Sequence, residues 1–331
     1  MPDVVALTSE LVALPSVTRD EGAVVAFVAD WLVQRGWTVQ QQPVSEGRSN
    51  VWATRRGGGV TLSTHLDTVP PFVAPRLEGG RLYGRGSCDA KGIAAAMMCA
   101  AQALADAGEE RVDLLFVVGE ERGSDGATAA NTLPATSRWL INGEPTESTL
   151  AAGCKGALRL TLRTIGREAH SAYPHLGDSA ISRMVALLAD LPTLVLPTDE
   201  RLGPCTLNVG TLHGGVAPNV IPGSGEAEIL VRLVSDADAV RNTLTAWVNG
   251  RADVAFGLCI PAQHFHTVPG FEVRSMAYTS DIPLLPNWGT PLLFGPGSIH
   301  VAHTPDEFID VEELRASVTH YERLVRSLLA S

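Results

Sequence analysis

Hydrophobic and polar residues follow two different patterns along this chain, and the first pattern dominates its two ends. Apolar side chains recur at helical spacing in three segments, residues 4–14, 21–35 and 93–107. Short, largely apolar runs lie among and after these segments, at residues 60–66, 112–118, 139–141 and 292–294. Because apolar runs separated by helices are typical of strands covered on both faces, this pattern predicts an α/β domain with a mostly parallel sheet.

The middle of the chain has the second pattern. Polar and apolar residues alternate singly, as in strands with one solvent-exposed face, at residues 157–165, 206–212 and 226–234. Helices are predicted at residues 179–190 and 237–249, and a last strand at residues 254–260. This order of elements predicts an inserted α+β, ferredoxin-like domain. We therefore expect a catalytic domain formed by residues 1–156 and 265–331, interrupted by a second domain at residues 157–264.

Composition and charge narrow the class of protein. The 331 residues are enough for about two domains, and 45% of them are hydrophobic, as in ordinary globular proteins. The net charge of −11 argues against a protein that binds nucleic acid or anionic membranes, because both need a basic surface. The most apolar stretch, Ile93–Ala105, is interrupted by Gln102 and is shorter than the ~18 residues of a membrane span.

The cysteines and the N-terminus bear on the cellular compartment. The five cysteines are widely spaced and include no C-x-x-C pair, which argues against a thiolate zinc site and favours reduced thiols. The N-terminal segment carries an acid where a signal peptide has Lys or Arg, and it lacks a continuous apolar core. We therefore expect a soluble cytoplasmic protein.

Acidic residues and histidines follow the predicted strands where those strands end. They are His65 and Asp67, Glu120 and Glu121, Glu144, and His300 and His303, with Asp89 just before the predicted helix at residue 93. Open α/β sheets bind ligands at the carboxyl ends of their strands, so five segments deliver imidazole or carboxylate groups to one edge. These donors, without thiolates, suit Zn²⁺, Mn²⁺ or Co²⁺, and one bridging carboxylate would allow two ions.

Local spacing suggests how these groups divide their roles. The side chains of His65 and Asp67 share one face of an extended chain, so Asp67 is expected to accept from the second ring nitrogen of His65. Glu120 and Glu121 would point in opposite directions on an extended chain, so that one binds a metal ion while the other acts as a base. Two adjacent acids at the end of a buried strand also repel each other unless a cation lies nearby.

Each of these residues has an ordinary structural alternative when it is taken alone. His65 could be a hydrogen-bonded structural histidine, and Asp89 a helix N-cap. The pair Glu120 and Glu121 could be a solvated loop, and Glu144 a turn residue. Their joint placement at one sheet edge favours a metal site. The sequence also lacks G-x-S-x-G, a Gly-Lys-Ser/Thr phosphate loop, a complete dinucleotide fingerprint and an H-E-x-x-H helix.

Seven short motifs, in chain order, carry a specific family likeness. They are Ser63-Thr-His-Leu-Asp-Thr-Val69, Leu82-Tyr-Gly-Arg-Gly-Ser-Cys-Asp-Ala-Lys-Gly92, Gly119-Glu-Glu-Arg-Gly-Ser-Asp-Gly126, Asn142-Gly-Glu-Pro145, His170-Ser-Ala-Tyr-Pro174, Asn219-Val-Ile-Pro222 and His303-Thr-Pro-Asp-Glu307. With these motifs the chain resembles the di-zinc amidohydrolases and peptidases that include acetylornithine deacetylase, succinyl-diaminopimelate desuccinylase and carboxypeptidase G. The motifs keep the family's order and cover most of the chain.

The resemblance implies a role for each matching residue. It implies two metal ions bridged by Asp89, with His65 and Glu144 completing one site and Glu121 and His303 completing the other. It further implies a general base acting on a metal-bridging hydroxide (Glu120), a carboxylate behind the first histidine (Asp67), a donor to the substrate oxygen (His170) and two groups that hold the substrate carboxylate (Asn219 and Arg232). A cis peptide bond between Asp89 and Ala90 is a further expectation.

Alternatives stay open at several of these positions. Taken by itself, His170 is a surface-loop histidine and Arg232 a solvated strand residue. His300 competes with His303 as a ligand, although the His-Thr-Pro-Asp-Glu motif favours His303. The approach to Thr279-Ser280-Asp281 lacks the glycines found in relatives of the desuccinylase, and this segment lines the substrate pocket in the family. The identity of the substrate therefore stays open.

The residues and the resemblance together predict a metal-dependent hydrolase of N-acyl amino acids. The expected substrates are acetylated ornithine, citrulline or lysine, and the expected cofactor is a pair of divalent ions, zinc first, with cobalt or manganese as alternatives. A dipeptidase or carboxypeptidase acting on short peptides is the first alternative, because it also breaks a C–N bond next to a carboxylate. An inactive metal-binding module is the second. By analogy with the family, the inserted domain would act as a lid and form a homodimer.

Overall fold

Residues 2–331, described in a computed structural model, form seven α-helices and twenty β-strands joined by loops and short 3₁₀ turns. The helices are α1 (Val4–Ala13), α2 (Gly22–Val33), α3 (Lys91–Asp106), α4 (Asp125–Ala130), α5 (Ala180–Ala189), α6 (Ala237–Val248) and α7 (Val311–Ala330). The strands are β1 (Thr38–Ser45), β2 (Arg48–Thr54), β3 (Val60–His65), β4 (Arg76–Glu78), β5 (Arg81–Tyr83), β6 (Val112–Val117), β7 (Trp139–Asn142), β8 (Leu150–Cys154), β9 (Gly156–Ile165), β10 (Ala169–His170), β11 (Thr198–Asp199), β12 (Gly203–Pro204), β13 (Thr206–Gly214), β14 (Val220–Ile221), β15 (Ser224–Leu233), β16 (Asp253–Ile260), β17 (Gln263–His264), β18 (Val273–Met276), β19 (Thr290–Leu293) and β20 (Phe308–Asp310).

The chain divides into two units. Unit 1 comprises Met1–Ala152, Phe265–Arg274 and Ser280–Ser331, and unit 2 comprises Gly153–His264 and Ser275–Thr279. The second unit therefore begins at Gly153 rather than at residue 157, and it includes a short later segment that the sequence analysis assigned to the catalytic domain.

The central sheet of unit 1 has the strand order β1-β2-β6-β3-β7-β19. Its last four strands are parallel to one another, whereas β1 and β2 form an antiparallel hairpin at one edge. The predicted α/β class with a mostly parallel sheet is confirmed. The hairpin was not predicted, because β1 has the polar sequence TVQQQPVS and alternates exposed with half-buried residues.

Strand β6 shows why its sequence is continuously apolar. Val112, Leu114 and Phe116 pack into the main core, while Leu115 and Val117 pack into a second cluster on the opposite face. Both faces of the sheet are therefore covered, and alternate residues of one strand belong to different cores. This arrangement is the one expected for a parallel strand buried between helices.

Helix α3 lies in the main core, in contact with α1, α7, β3 and β6. Its run of alanines and other small side chains is almost wholly buried, which allows close packing on all sides. Helix α7, which the sequence analysis did not predict, places its apolar residues on one face at helical spacing: Val311, Leu314, Val318, Tyr321, Val325 and Leu328. Asp310 caps its first turn by accepting from the amides of Glu312 and Glu313.

Unit 2 contains a four-stranded antiparallel sheet with the order β13-β15-β9-β16. With α5 and α6 its chain order is strand–helix–strand–strand–helix–strand, as predicted. Leu158, Leu160 and Leu162 of β9 face the helices and pack with Met184 and Leu244. The alternation in the sequence therefore marks a sheet with one face covered by helices.

Two chain-wide expectations can be compared with the structure. All five cysteines lie within residues 2–331, and all are free thiols. Among the same residues, no helix combines the length and the hydropathy that crossing a membrane would require.

Candidate functional site

The predicted metal ligands all belong to unit 1 and lie at the carboxyl ends of its strands or beside them. His65 is the last residue of β3, Glu121 follows β6, and Glu144 follows β7. His303 lies in the loop between β19 and β20, and Asp89 lies just before α3. Because β3, β6, β7 and β19 run parallel, their carboxyl ends meet at the same edge of the sheet.

Asp89 lies between the two histidines. Its Oδ1 is 3.0 Å from Nε2 of His65, and its Oδ2 is 3.3 Å from Nε2 of His303. Nε2 of His303 is also 3.0 Å from Oε1 of Glu121. Each oxygen of Asp89 therefore faces a different imidazole, an arrangement compatible with a carboxylate shared by two ions. The peptide bond that follows Asp89 is cis, as the resemblance implied.

The group is mostly withdrawn from solvent. His65 is 1% exposed, and Asp89 and Glu144 are each 5% exposed. The side chain of His303 is 49% exposed, so this residue forms the open side of the group. A small ligand could therefore reach the group past His303 without any opening of the core.

The electrostatics of the group favour a cation. Burial, followed by the charge of Asp281, raises the pKa of Glu120 well above its usual value. Burial, followed by the charge of Glu120, does the same to the pKa of Glu144. Hydrogen bonds with Asp89 and Glu121 raise the pKa of His303 to about 10. The carboxyl groups thus repel one another and draw positive charge to the histidines, which a bound metal ion would also supply.

The donor set fits divalent first-row metal ions. His65, Asp89 and Glu121 each offer one ligand atom, and these atoms lie within 4.8 Å of one another. Imidazole and carboxylate oxygen together are typical donors for Zn²⁺, Mn²⁺ and Co²⁺. The match between this group and divalent metal ions therefore rests on the chemistry and the spacing of its donor atoms.

Asp67 holds His65 in a different way from the one predicted. Nδ1 of His65 lies 2.9 Å from the backbone oxygen of Asp67, whereas the nearer carboxylate oxygen is 3.6 Å away. The carboxylate accepts instead from the backbone amides of Glu120, at 3.0 Å, and Glu121, at 3.2 Å, and from the hydroxyl of Thr18, at 2.8 Å. Asp67 therefore fixes the backbone that carries both acids.

Glu120 and Glu121 do not lie on an extended segment. Glu120–Arg122 forms a 3₁₀ turn between Gly119 and Gly123, whose φ angles are 80° and 96°. The φ of Gly119 favours glycine, and a Cβ there would lie 2.1 Å from Oδ1 of Asp125 and 2.6 Å from Nη2 of Arg48, so a larger residue would displace these two side chains. The predicted opposite orientation of the two acids depended on an extended segment, and the structure has a 3₁₀ turn there instead.

Arg48 of β2 binds Asp125, which follows this turn in the chain. The sequence analysis did not identify Arg48. Its guanidinium pairs with Glu21, at 2.9 Å, and with Asp125, at 2.5 Å, and its side chain is 7% exposed. Asn50 of the same strand accepts from the amide of Val118. The sequence analysis gave no indication of these contacts, because it did not predict the hairpin that contains Arg48 and Asn50.

Asp281 is a further acid. The sequence analysis named it only as part of the segment Thr279-Ser280-Asp281 and gave it no role of its own. It is 1% exposed, and burial raises its pKa to about 6. Its charge contributes to the raised pKa values of Glu120 and Glu144. Asp281 therefore belongs to the electrostatic surroundings of the candidate base.

His300, the competing ligand, is exposed, and within residues 2–331 it forms no ion pair with the acids of the group. Its backbone amide is 3.4 Å from Oγ of Ser298. The structure therefore places His303, and not His300, beside Asp89 and Glu121.

The three candidate residues outside unit 1 belong to unit 2. His170 is exposed in β10, opposite Val220 of β14, so that Asn219 lies on the neighbouring segment. Arg232 is half-buried in β15, and its side chain forms no ion pair within the part of the chain that is described. The contribution of His170, Asn219 and Arg232 to a site stays a prediction.

Comparisons with known proteins agree with one another. The family model described as Peptidase family M20/M25/M40 matches residues 61–327. A probable carboxypeptidase of Aspergillus fumigatus is 36% identical, over 97% of this chain and 85% of its own length. A tripeptidase from Staphylococcus aureus has a similar structure, with a TM-score of 0.85 at 19% identity, covering 99% of this chain and 98% of that one. A dinuclear metal binding peptidase of the M20 family from Bacillus subtilis gives a TM-score of 0.74 at 15% identity, with 99% and 98% covered.

Proposed function

Since this chain belongs to peptidase family M20/M25/M40 and is a hydrolytic metallo-enzyme, we propose that it cleaves the amide bond next to a free α-carboxylate. Its first substrate class would be short peptides, from which it removes the C-terminal residue, and its second would be N-acyl amino acids. The observation that carries the proposal is the group of His65, Asp89 and Glu121, whose ligand atoms lie within 4.8 Å of one another.

We assign the group to two divalent ions. Asp89 would bind both, with His65 and Glu144 completing one site and Glu121 and His303 completing the other. The distances of 3.0 Å and 3.3 Å from the two Asp89 oxygens to the two histidines support the shared ligand. Zinc is the first expectation, and cobalt or manganese suit the same donors. When bound, the ions would polarise the scissile carbonyl and make a water molecule more acidic.

Glu120 is the proposed general base. It lies on the same 3₁₀ turn as Glu121, and burial, followed by the charge of Asp281, raises its pKa well above the usual value, which makes its carboxylate a stronger base. Glu120 would take the proton of the attacking water and then deliver it to the amine that leaves. Asp67 supports this role by fixing the backbone amide of Glu120.

The residues of unit 2 would recognise the substrate. His170 would donate to the oxyanion that develops on the scissile carbonyl. Asn219 and Arg232 would hold the α-carboxylate, for which the planar fork of an arginine is well suited. Support comes from the family motifs around these residues and from the side chain of Arg232, which forms no ion pair among residues 2–331. A homodimer formed through unit 2 is proposed on the same analogy.

Two observations bear on which substrate class comes first. The relative that is 36% identical over 97% of this chain is named a probable carboxypeptidase, which supports cleavage of peptides. The motifs shared with acetylornithine deacetylase support the deacetylation of acetylated ornithine, citrulline or lysine. Both activities need the same free carboxylate, because an N-acyl amino acid is chemically the smallest substrate of a carboxypeptidase.

The test is a matched substrate panel, with product release followed by mass spectrometry in the presence of Zn²⁺ or Co²⁺ and again with chelator. The panel contains N-blocked peptides with a free C-terminus, the same peptides as C-terminal amides, peptides with a free N-terminus, and N-acetyl amino acids. We expect chelator-sensitive release of the C-terminal residue from the first set and no cleavage of the amides.

Other outcomes would each revise a different part of the proposal. Cleavage of N-acetyl amino acids alone would make the enzyme a deacetylase. Cleavage of C-terminal amides from the N-terminus would contradict the proposed carboxylate recognition. A protein that binds two ions and cleaves nothing would be the inactive metal-binding module, and a protein that binds no ion would contradict the assignment of the group.

A further inference from the structure

Glu307 is a buried acid to which neither the sequence analysis nor the proposed chemistry gives a role. It is 2% exposed, and both of its carboxylate oxygens accept hydrogen bonds. One oxygen, Oε1, accepts from three backbone amides, those of Gly86 at 2.9 Å, Cys88 at 3.1 Å and Asp89 at 3.1 Å. The other oxygen, Oε2, accepts from Nη1 of Arg85 at 2.6 Å.

All of these donors belong to one short segment that ends at Asp89. The backbone oxygen of Glu307 extends the contact by accepting from the amide of Gly84, at 3.0 Å. Glu307 therefore contacts the segment from residue 84 to residue 89 at both of its ends and between them. Because the amide of Asp89 itself is one of the donors, the position of Glu307 constrains the backbone from which the proposed shared ligand projects.

The same region of the chain also reaches the side chain of Asp89. His303 lies four positions before Glu307, at the start of the His-Thr-Pro-Asp-Glu motif. Its φ of 63° is unusual for a residue other than glycine, and its Nε2 is 3.3 Å from Oδ2 of Asp89. Residues 303–307 thus contact Asp89 twice, at the carboxylate through His303 and at the backbone through Glu307.

The ion pair with Arg85 offers a competing explanation, because a buried pair could serve the fold alone. Arg85 is also 2% exposed, so removal of either partner would leave a buried charge and destabilise the protein for that reason. The two explanations differ in the part of Glu307 that matters. A role in the fold depends on the charge facing Arg85, whereas a role at the site depends on the oxygen facing the three amides.

We propose that Glu307 is a positioning residue for the metal site: its Oε1 orients the segment that delivers Asp89, so that both ions meet this ligand in the correct geometry. This inference rests on the proposed assignment of Asp89 as the shared ligand. Residues behind a metal ligand typically change metal affinity by 10- to 100-fold when they are lost.

The experiment compares two double variants. Both lack the ion pair between Arg85 and Glu307, and they differ only in the end of the side chain at position 307. Arg85→Met with Glu307→Gln keeps an amide oxygen that can accept from the three amides. Arg85→Met with Glu307→Met removes that acceptor at similar side-chain volume. Each protein is stripped of metal, checked for folding by its thermal midpoint, and titrated with Co²⁺ against a chelator while the visible absorption of the bound cobalt is recorded.

We expect the glutamine variant to bind Co²⁺ within about threefold of the wild-type affinity and with the wild-type spectrum. The methionine variant should bind at least about tenfold more weakly and with an altered spectrum. Equal affinities and equal spectra in the two double variants would overturn the role of Glu307. A wild-type protein that binds no Co²⁺ would instead overturn the proposed function, and with it this inference.

A single variant decides the question if the methionine variant does not fold. Glu307→Asp keeps the charge beside Arg85 but shortens the side chain by one methylene, so that its carboxylate no longer reaches all three amides. An altered cobalt spectrum in a folded Glu307→Asp protein would support the positioning role, and an unaltered spectrum would overturn it.

Discussion

The candidate residues of unit 1 and those of unit 2 differ in how completely the protein itself organises them. In unit 1, Asp89 has a histidine at each carboxylate oxygen, and Asp67 holds the turn that carries Glu120. In unit 2, His170 is exposed and Arg232 has no ion pair within the described chain. Contacts within unit 1 hold the first set in place. For Arg232 no ion pair of this kind occurs among residues 2–331. Metal binding should therefore be a property of unit 1 alone, whereas substrate recognition would depend on unit 2.

The largest effect is expected from Glu120→Gln, which removes the proposed base but leaves the shape of the turn unchanged. Turnover should fall by roughly 10²- to 10⁴-fold, because a neutral amide cannot take the proton of the attacking water. The measurement is kcat/KM together with the metal content of the purified protein. Glu312→Gln, an exposed change at the start of α7, serves as the matched control and should keep full activity. Intact turnover in Glu120→Gln would mean that another group is the base.

The next largest effect should separate the two neighbouring histidines. His303→Ala is expected to weaken the binding of one ion by at least about 100-fold, since loss of a direct ligand should exceed the loss of a group behind a ligand. His300→Ala is the matched control, because His300 is exposed and lies outside the group. Chelator competition measures both affinities. Weakening by His300→Ala, with His303→Ala unaffected, would reassign the ligand.

Unit 2 should affect the substrate and leave the metal unchanged. Arg232→Met is expected to lower kcat/KM by about 10- to 100-fold for substrates with a free α-carboxylate, the range for hydrogen bonds to a charged group. Metal content should stay at the wild-type level. Arg159→Met is a suitable control, because Arg159 is exposed on the same face of the sheet, opposite the helices. Equal losses in the two variants would remove Arg232 from the proposed site.

A smaller effect concerns pH and again concerns unit 1 alone. The pKa of His303 is raised to about 10 by Asp89 and Glu121, so the imidazole carries a proton at neutral pH. Binding of a metal ion requires the neutral ring and therefore releases that proton. Apparent affinity should strengthen as pH rises, by about tenfold per pH unit for each proton released. Chelator competition between pH 6.5 and pH 8 measures this slope, within the range in which His303 stays protonated in the metal-free protein.

His303→Ala supplies the control for the pH experiment. The slope of metal affinity against pH should decrease by about one proton in this variant, because one titrating ligand has been removed. An identical slope in the variant and the wild type would show that the proton released on binding comes from another group.

The pattern of apolar residues predicted the covered parts of the fold well and the edges poorly. Strands β3, β6 and β7 were found because both faces of each are buried, which leaves continuous apolar runs in the sequence. Hairpin β1–β2 was missed because an edge strand needs few apolar residues, and β1 has mainly exposed ones. Helix α7 was overlooked although its apolar residues have clear helical spacing, so a signal for it was present.

At the site, the chemistry of the residues was predictable, but the hydrogen bonds behind them were not. Strand ends and motifs identified His65, Asp89, Glu121 and His303, which the structure brings together. The contact of Glu307 with Gly86 joins positions 221 residues apart, and no local pattern specifies such a pair. The hydrogen bonds from the backbone amides to Asp67 could not be predicted either, because they depend on a 3₁₀ turn in a segment that was expected to be extended.

One titration tests the central claim, that a two-ion site forms around Asp89 of unit 1. Metal-free wild-type protein and Asp89→Ala are each titrated with Co²⁺ while visible absorption and hydrolysis of the best substrate are recorded. The account predicts that absorption and activity of the wild type reach their plateau at two ions per chain, and that Asp89→Ala loses both. A plateau at two ions in Asp89→Ala, or full hydrolysis by the wild type without any bound ion, would contradict it.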